Sequence, residues 1–148
     1  MSSAQKAYRR NSHSVYLCDY HLVFTTKYRH PVITPELWNH LHLKLLEITK
    51  HCPTIYLHEA NNDKDHIHLL LSIPPQMSVG DVVRLVKTNT SRNIKEQFPS
   101  LKKWYWGTDG IWSDGYFVST VGVNKEVIKR YIENQGELDT GQTATLFD

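Results

Sequence analysis

Apolar and polar positions alternate most regularly at His66-Ile67-His68-Leu69-Leu70-Leu71-Ser72-Ile73, where Ile67, Leu69, Leu71 and Ile73 share one side of an extended chain. That side predicts a core-facing strand and leaves His66, His68, Leu70 and Ser72 on the other. Upstream, the strand-prone run from Val15 to Tyr28 predicts a first strand, closed by Arg29-His30-Pro31. Thr34-Pro35-Glu36 then supplies an N-cap, a first-turn proline and an early acid, and Leu37, Leu41, Leu45 and Ile48 follow at helical spacing up to Pro53. Residues 54–61 predict a strand that forms a hairpin with the His66 strand through the polar turn Asn62-Asp63-Lys64-Asp65. Ser78-Val79-Gly80-Asp81 reads as a capping box with Asp in place of Glu, and Val79, Val82, Val83 and Val86 stripe a second helix that stops at Phe98-Pro99.

Trp104-Tyr105-Trp106, a turn from Gly107 to Gly110, and Ile111 to Val121 predict a further strand pairing. Most of its rings are expected in the core, with one or two open to base stacking. Asn124 is expected to cap a last helix that carries Val127, Ile128, Tyr131, Ile132 and Gln135 on one side and ends at Gly136. Residues 1–14 read as a loose basic arm and 137–148 as a flexible acidic tail, leaving one domain over 15–136. The order strand, helix, strand, strand, helix, strand suits an α+β, ferredoxin-like antiparallel sheet with helices on one face and an additional C-terminal helix.

Composition agrees with one domain: the 148 residues are 40% hydrophobic and 11% aromatic, enough to bury a core. The two cysteines, Cys18 and Cys52, have no zinc or redox spacing, and no signal peptide is read before them, so a reducing cytoplasm is expected. No apolar run approaches the ~20 residues a bilayer requires. Net charge is only +2, yet it is unevenly placed: six bases stand between Arg84 and Lys103 against the single acid Glu96. Arg84, Lys87, Ser91, Arg92, Lys95, Lys102 and Lys103 therefore form a candidate phosphate-facing set, although a solvated helix face has the same pattern.

Two histidines separated by one residue on a strand put their rings on one face with α-carbons ~6.6 Å apart, near enough to share one divalent cation. A pair of exposed or satisfied core histidines would have the same spacing, so a third ligand is needed. On the last helix Tyr131 and Gln135 are one turn apart, with β-carbons about 6 Å from each other, and can face one pocket. A phenol beside a metal-bound phosphate can attack phosphorus and keep the product attached, and a glutamine amide oxygen is a credible third ligand. A core tyrosine and a surface amide would satisfy the same pattern.

Asp65-His66-Ile67-His68-Leu69-Leu70, Ser91-Arg92, Phe98-Pro99-Ser100-Leu101-Lys102-Lys103, Tyr105-Trp106-Gly107, the run from Trp112 to Gly122, and Tyr131-Ile132-Glu133-Asn134-Gln135 together carry a resemblance to a known family. From Ser14 to Gln135 the chain resembles the single-tyrosine HUH transposases of the insertion-sequence 200/605 type. The resemblance implies that His66 and His68 are the histidines of the HUH motif, with Ile67 between them, that Tyr131 is the nucleophile, and that Gln135 is the additional metal ligand. It further implies Mg²⁺ or Mn²⁺ as cofactor, single-stranded DNA with hairpins as substrate, a 5′-phosphotyrosine intermediate, and a homodimer in which the tyrosine helix of one subunit completes the histidine site of the other.

Three other readings stay open on the residues alone. A host-domesticated nuclease would process hairpins without moving itself. A non-catalytic nucleic-acid-binding module would use the basic helix while His66, His68 and Tyr131 are structural. A metal-dependent hydrolase would pair the histidines with Asp65 or Glu59 and leave no covalent adduct.

Overall fold

The computed structural model describes residues 8–105, 107–108, 110–120 and 125–140. Two short strands, β1 (Arg9–Arg10) and β2 (Val15–Tyr16), pair antiparallel, so part of the expected loose arm is folded. Asn11 makes that turn: its Oδ1 accepts from the backbone N–H groups of His13 and Ser14 at 3.0 and 2.8 Å, an Asx-type closure. The single strand predicted from Val15 to Tyr28 is accordingly divided, and the main strand is β3 (Asp19–Thr25).

After β3 come α1 (Pro35–His51), β4 (Tyr56–Asn62), β5 (His66–Ser72), α2 (Val79–Gln97), the short α3 (Lys102–Tyr105), β6 (Phe117–Ser119) and α4 (Lys125–Asp139). Among the described residues the main sheet has the order β4-β5-β3-β6 with every pairing antiparallel, the βαββαβ arrangement the sequence predicts. Both long helices begin as expected. Thr34 Oγ1 accepts from the Leu37 N–H at 3.2 Å, and Ser78 Oγ accepts from the Asp81 N–H at 3.0 Å.

One sheet face holds the main core. Leu22 and Phe24 of β3 and Ile67, Leu69 and Leu71 of β5 pack with Leu37, Leu41 and Leu45 of α1 and Val82, Val83, Val86 and Ile94 of α2. The other face carries a smaller cluster in which Val23 and Phe117 meet Ile128, Tyr131 and Ile132 of α4. The alternation of β5 thus sorts its side chains as predicted, with His66 and His68 on the face that α4 covers.

Three expectations are corrected. Trp104 and Tyr105 lie in α3, not in a strand, because Pro99 starts a 3-10 turn that runs directly into it; Trp106 lies outside the described residues. The strand predicted from Ile111 to Val121 reduces to β6 and one bridge between Trp112 and Thr26. Gly115, with φ +87°, turns the chain between them, a conformation an L side chain adopts only with strain. The last helix passes through Gly136 and reaches Asp139, so residues 137–139 are helical; its expected cap, Asn124, lies outside the described residues.

Candidate active site

Strand alternation delivers the His66 and His68 rings side by side, with centroids 5.1 Å apart. The neighbouring Asp65 closes on the first: His66 Nδ1–H donates to Asp65 Oδ1 at 2.8 Å, which in the neutral ring leaves Nε2 with its lone pair. Arg29 holds the same carboxylate, its Nε donating to Asp65 Oδ2 at 3.1 Å. The hydrogen bond from His66 holds the Asp65 carboxyl below its ordinary range, against the opposing effect of burial, with the Arg29 charge assisting. Burial, followed by the neighbouring His66 and His21, pushes the His68 pKa down and favours its neutral, ligating form.

These groups open onto a cavity of about 660 Å³ between the sheet and α4. His66, His68, Arg29, Glu59 and Asn61 line it from below, and Ile128 and Ile132 from the helix. Two imidazoles, His68 favoured in its neutral form and His66 oriented by a carboxylate, are a donor pair that suits a divalent cation. Among the described residues no third His, Cys, Asp or Glu joins them in a metal-holding group. Asp65 instead orients His66.

Tyr131 and Gln135 stay together, one turn apart, but neither lines that cavity. The Tyr131 hydroxyl and the Gln135 amide oxygen sit over Gly115, within 4.0 Å of where a Cβ there would stand. The Tyr131 ring packs 6.0 Å from Phe117, and its hydroxyl is buried without a hydrogen-bond partner among the described residues. Burial, reinforced by the Asp139 charge, raises its pKa well above the ordinary phenol value. In this arrangement the phenol is held neutral and away from the histidines.

His68 pairs with Val23, and Val23 pairs with Phe117, so Phe117, against which the Tyr131 ring packs, lies two strand spacings, ~10 Å, from His68 across the sheet. Asp139 fastens the helix there. Its Oδ2 accepts from the Tyr28 N–H at 2.9 Å and from Ser113 Oγ–H, and its Oδ1 accepts from Gln135 Nε2 at 3.3 Å.

The candidate phosphate-facing residues fall into two groups that share Arg92. Lys87, Ser91, Arg92 and Lys95 border a second groove of about 450 Å³, but three of them already bind the loop that follows α3. Lys87 Nζ donates to the carbonyls of Ser113 and Gly115 at 2.8 and 2.5 Å, Lys95 Nζ donates to Thr108 O at 3.1 Å, and Ser91 Oγ accepts from the Ile111 N–H at 3.3 Å. Arg84, Arg92, Lys102 and Lys103 are exposed; Arg84 pairs with Asp81 at 3.3 Å and Lys103 lies 5.6 Å over the Trp104 ring. Of the aromatic residues, Tyr105 and Trp112 are core, the latter donating to Thr90 Oγ1 at 2.9 Å.

Lys87→Met is expected to lower unfolding stability by about 1–2 kcal/mol, because two loop carbonyls lose a charged donor; urea denaturation measures it. The pH dependence has a definite sign. Burial lowers the Lys87 pKa from its ordinary 10.5 to about 8, so between those values the unfolded chain binds more protons and this residue makes stability rise with pH. The rise should be absent from Lys87→Met.

Sequence reasoning missed Arg29, Asp139 and the true role of Asp65. Only Asp65 left a signal, being adjacent to His66.

Comparison with known proteins matches residues 14–135 to the family described as "Transposase IS200 like". The transposase for insertion sequence element IS200 of Salmonella typhimurium is 37% identical over 128 residues, covering 86% of this chain and 83% of that protein. The ISDra2 transposase TnpA of Deinococcus radiodurans is 34% identical over 122 residues, covering 82% and 86%. A crystal structure of a transposase from Deinococcus radiodurans R1 superposes with a TM-score of 0.77 at 34% identity, covering 86% of this chain and 97% of that one. A REP-associated tyrosine transposase bound to a REP hairpin shares the fold, with a TM-score of 0.52 at 11% identity, covering 93% and 75%. With the paired histidines on β5 and the tyrosine on α4, this chain belongs to the IS200-like transposase family.

Proposed function

We propose that this protein cleaves and rejoins single-stranded DNA at the ends of a mobile element, through a 5′-phosphotyrosine on Tyr131. The observation that carries the reading is the Asp65-oriented His66 and the neutral His68, set on the one sheet face covered by the helix that bears Tyr131. His66 and His68 would hold Mg²⁺ or Mn²⁺, which when bound polarises the scissile phosphate. Gln135 would join them once α4 is repositioned.

Tyr131 Oη attacks phosphorus and forms the phosphotyrosine bond as the bond to the 3′ oxygen breaks. The phenol proton leaves and a proton reaches the departing oxygen, so charge balances; attack by a 3′-hydroxyl then reverses the step. One diester replaces another, and resealing needs no nucleotide. The docked α4 keeps the phenol neutral and outside the cavity that the histidines line, so the reaction requires either a shift of the helix or a tyrosine helix supplied by a second subunit. The substrate is hairpin-bearing DNA, in keeping with the REP-hairpin complex of the structural neighbour. Among the described residues no helix is long and apolar enough to cross a membrane.

The test uses single-stranded oligonucleotides with imperfect hairpins drawn from DNA flanking the coding sequence. With Mn²⁺, a denaturation-resistant protein–DNA adduct is expected, and it should disappear with EDTA. Cleavage without an adduct would indicate the hydrolase, and metal-independent binding without cleavage the structural reading of Tyr131.

A further inference from the structure

Helix α4 carries a glycine in its interior at 136, where alanine would favour the helix. The reason is contact. A Cβ at Gly136 would collide with Arg29 Cδ and stand 2.9 Å from Cγ, so the Arg29 side chain crosses α4 through a notch that only glycine leaves open. Arg29 arrives there from a costly turn: Tyr28 and Arg29 have φ of 60° and 53°, the left-handed region that non-glycine residues avoid. Asp139 of the same helix accepts from the Tyr28 N–H and so holds that turn. Beyond the notch, Arg29 binds Asp65, and Asp65 binds His66 Nδ1.

We propose that Arg29 is a positioning residue that transmits the docking of α4 to His66, through the sequence Gly136 notch, Arg29, Asp65, His66. The inference rests on the proposed metal-holding role of the histidines. With Gly136 over Arg29, the guanidinium is fixed, Asp65 is fixed, and His66 presents Nε2 to the cavity. When α4 leaves, Arg29 loses one wall and His66 loses its orientation.

The test measures Mn²⁺ affinity by titration calorimetry on the full chain without DNA. Arg29→Gln should weaken binding ~10-fold or more, as loss of a group that orients a metal-ligating histidine does, with Arg29→Lys in between. Gly136→Ala, which touches no ligand and favours the helix, should also weaken it, and in the Arg29→Gln background it should add nothing. Affinity unchanged in Arg29→Gln, or two effects that simply multiply, would overturn the proposal. If His66→Ala bound Mn²⁺ as the unaltered protein does, the metal reading itself would fall. The ¹⁵N resonances of His66 would then decide Arg29's role at mildly alkaline pH: a pure Nδ1–H tautomer that becomes mixed in Arg29→Gln and Gly136→Ala supports it, and an unchanged tautomer refutes it.

Discussion

Tyr131→Phe is expected to remove the covalent protein–DNA adduct, with strand-cleaving activity falling by at least ~10⁴-fold, as when a covalent nucleophile is deleted. Stability should move the other way or not at all. The Tyr131 hydroxyl is buried with no hydrogen-bond partner among the described residues, so its deletion breaks no bond to them and relieves a desolvation cost of about 1–3 kcal/mol. A variant that melts no lower than the parent yet forms no adduct separates chemical loss from structural loss. An adduct that survives in Tyr131→Phe would dismiss this residue as the nucleophile.

The same variant tests where the tyrosine helix acts. Mixed with His66→Ala, each protein lacks one half of the site. If α4 completes a partner's histidine pair, random exchange of subunits restores adduct formation to about a quarter of the parent level. If α4 acts on its own sheet, the mixture stays inactive.

The features that were legible in the sequence are those with one dominant local cause. Thr34-Pro35 and Ser78 announce their helices by capping, and the alternation from Ile67 to Ile73 announces a strand with one buried face. The features that were not legible depend on partners distant in sequence. Gly136 resembles a helix terminator until Arg29, more than a hundred residues earlier, is seen to need its space. Lys87 and Lys95 look like solvated bases in a helical wheel, and only the folded loop shows that they hold carbonyls. Tyr131 and Gln135 were correctly read as sharing a face, but no spacing rule reveals that the face turns toward Phe117 and Gly115.

His66→Ala and His68→Ala should each lower the rate of adduct formation by ~10³-fold or more, beyond the 10–100-fold typical of a lost orienting partner. The double variant should be scarcely worse than the weaker single one, because two ligands of one ion act as a unit. A readout independent of catalysis accompanies this. A ligand present at a hundred times its dissociation constant stabilises the folded state by about 2.7 kcal/mol, so Mn²⁺ should raise the melting temperature of the parent and of Tyr131→Phe, but of neither histidine variant. That pattern divides the site by role: the strand histidines hold the ion, and the helix tyrosine supplies the bond. His68 also stands beside Val23, the residue on which α4 packs, so its truncation loosens the floor beneath the helix. His68→Ala should therefore lower the metal-free melting temperature more than His66→Ala, whose ring is tied to Asp65 at the far end of the pair. Equal Mn²⁺ stabilisation of parent and histidine variants would place the cation elsewhere and remove the basis for histidine-assisted phosphoryl transfer.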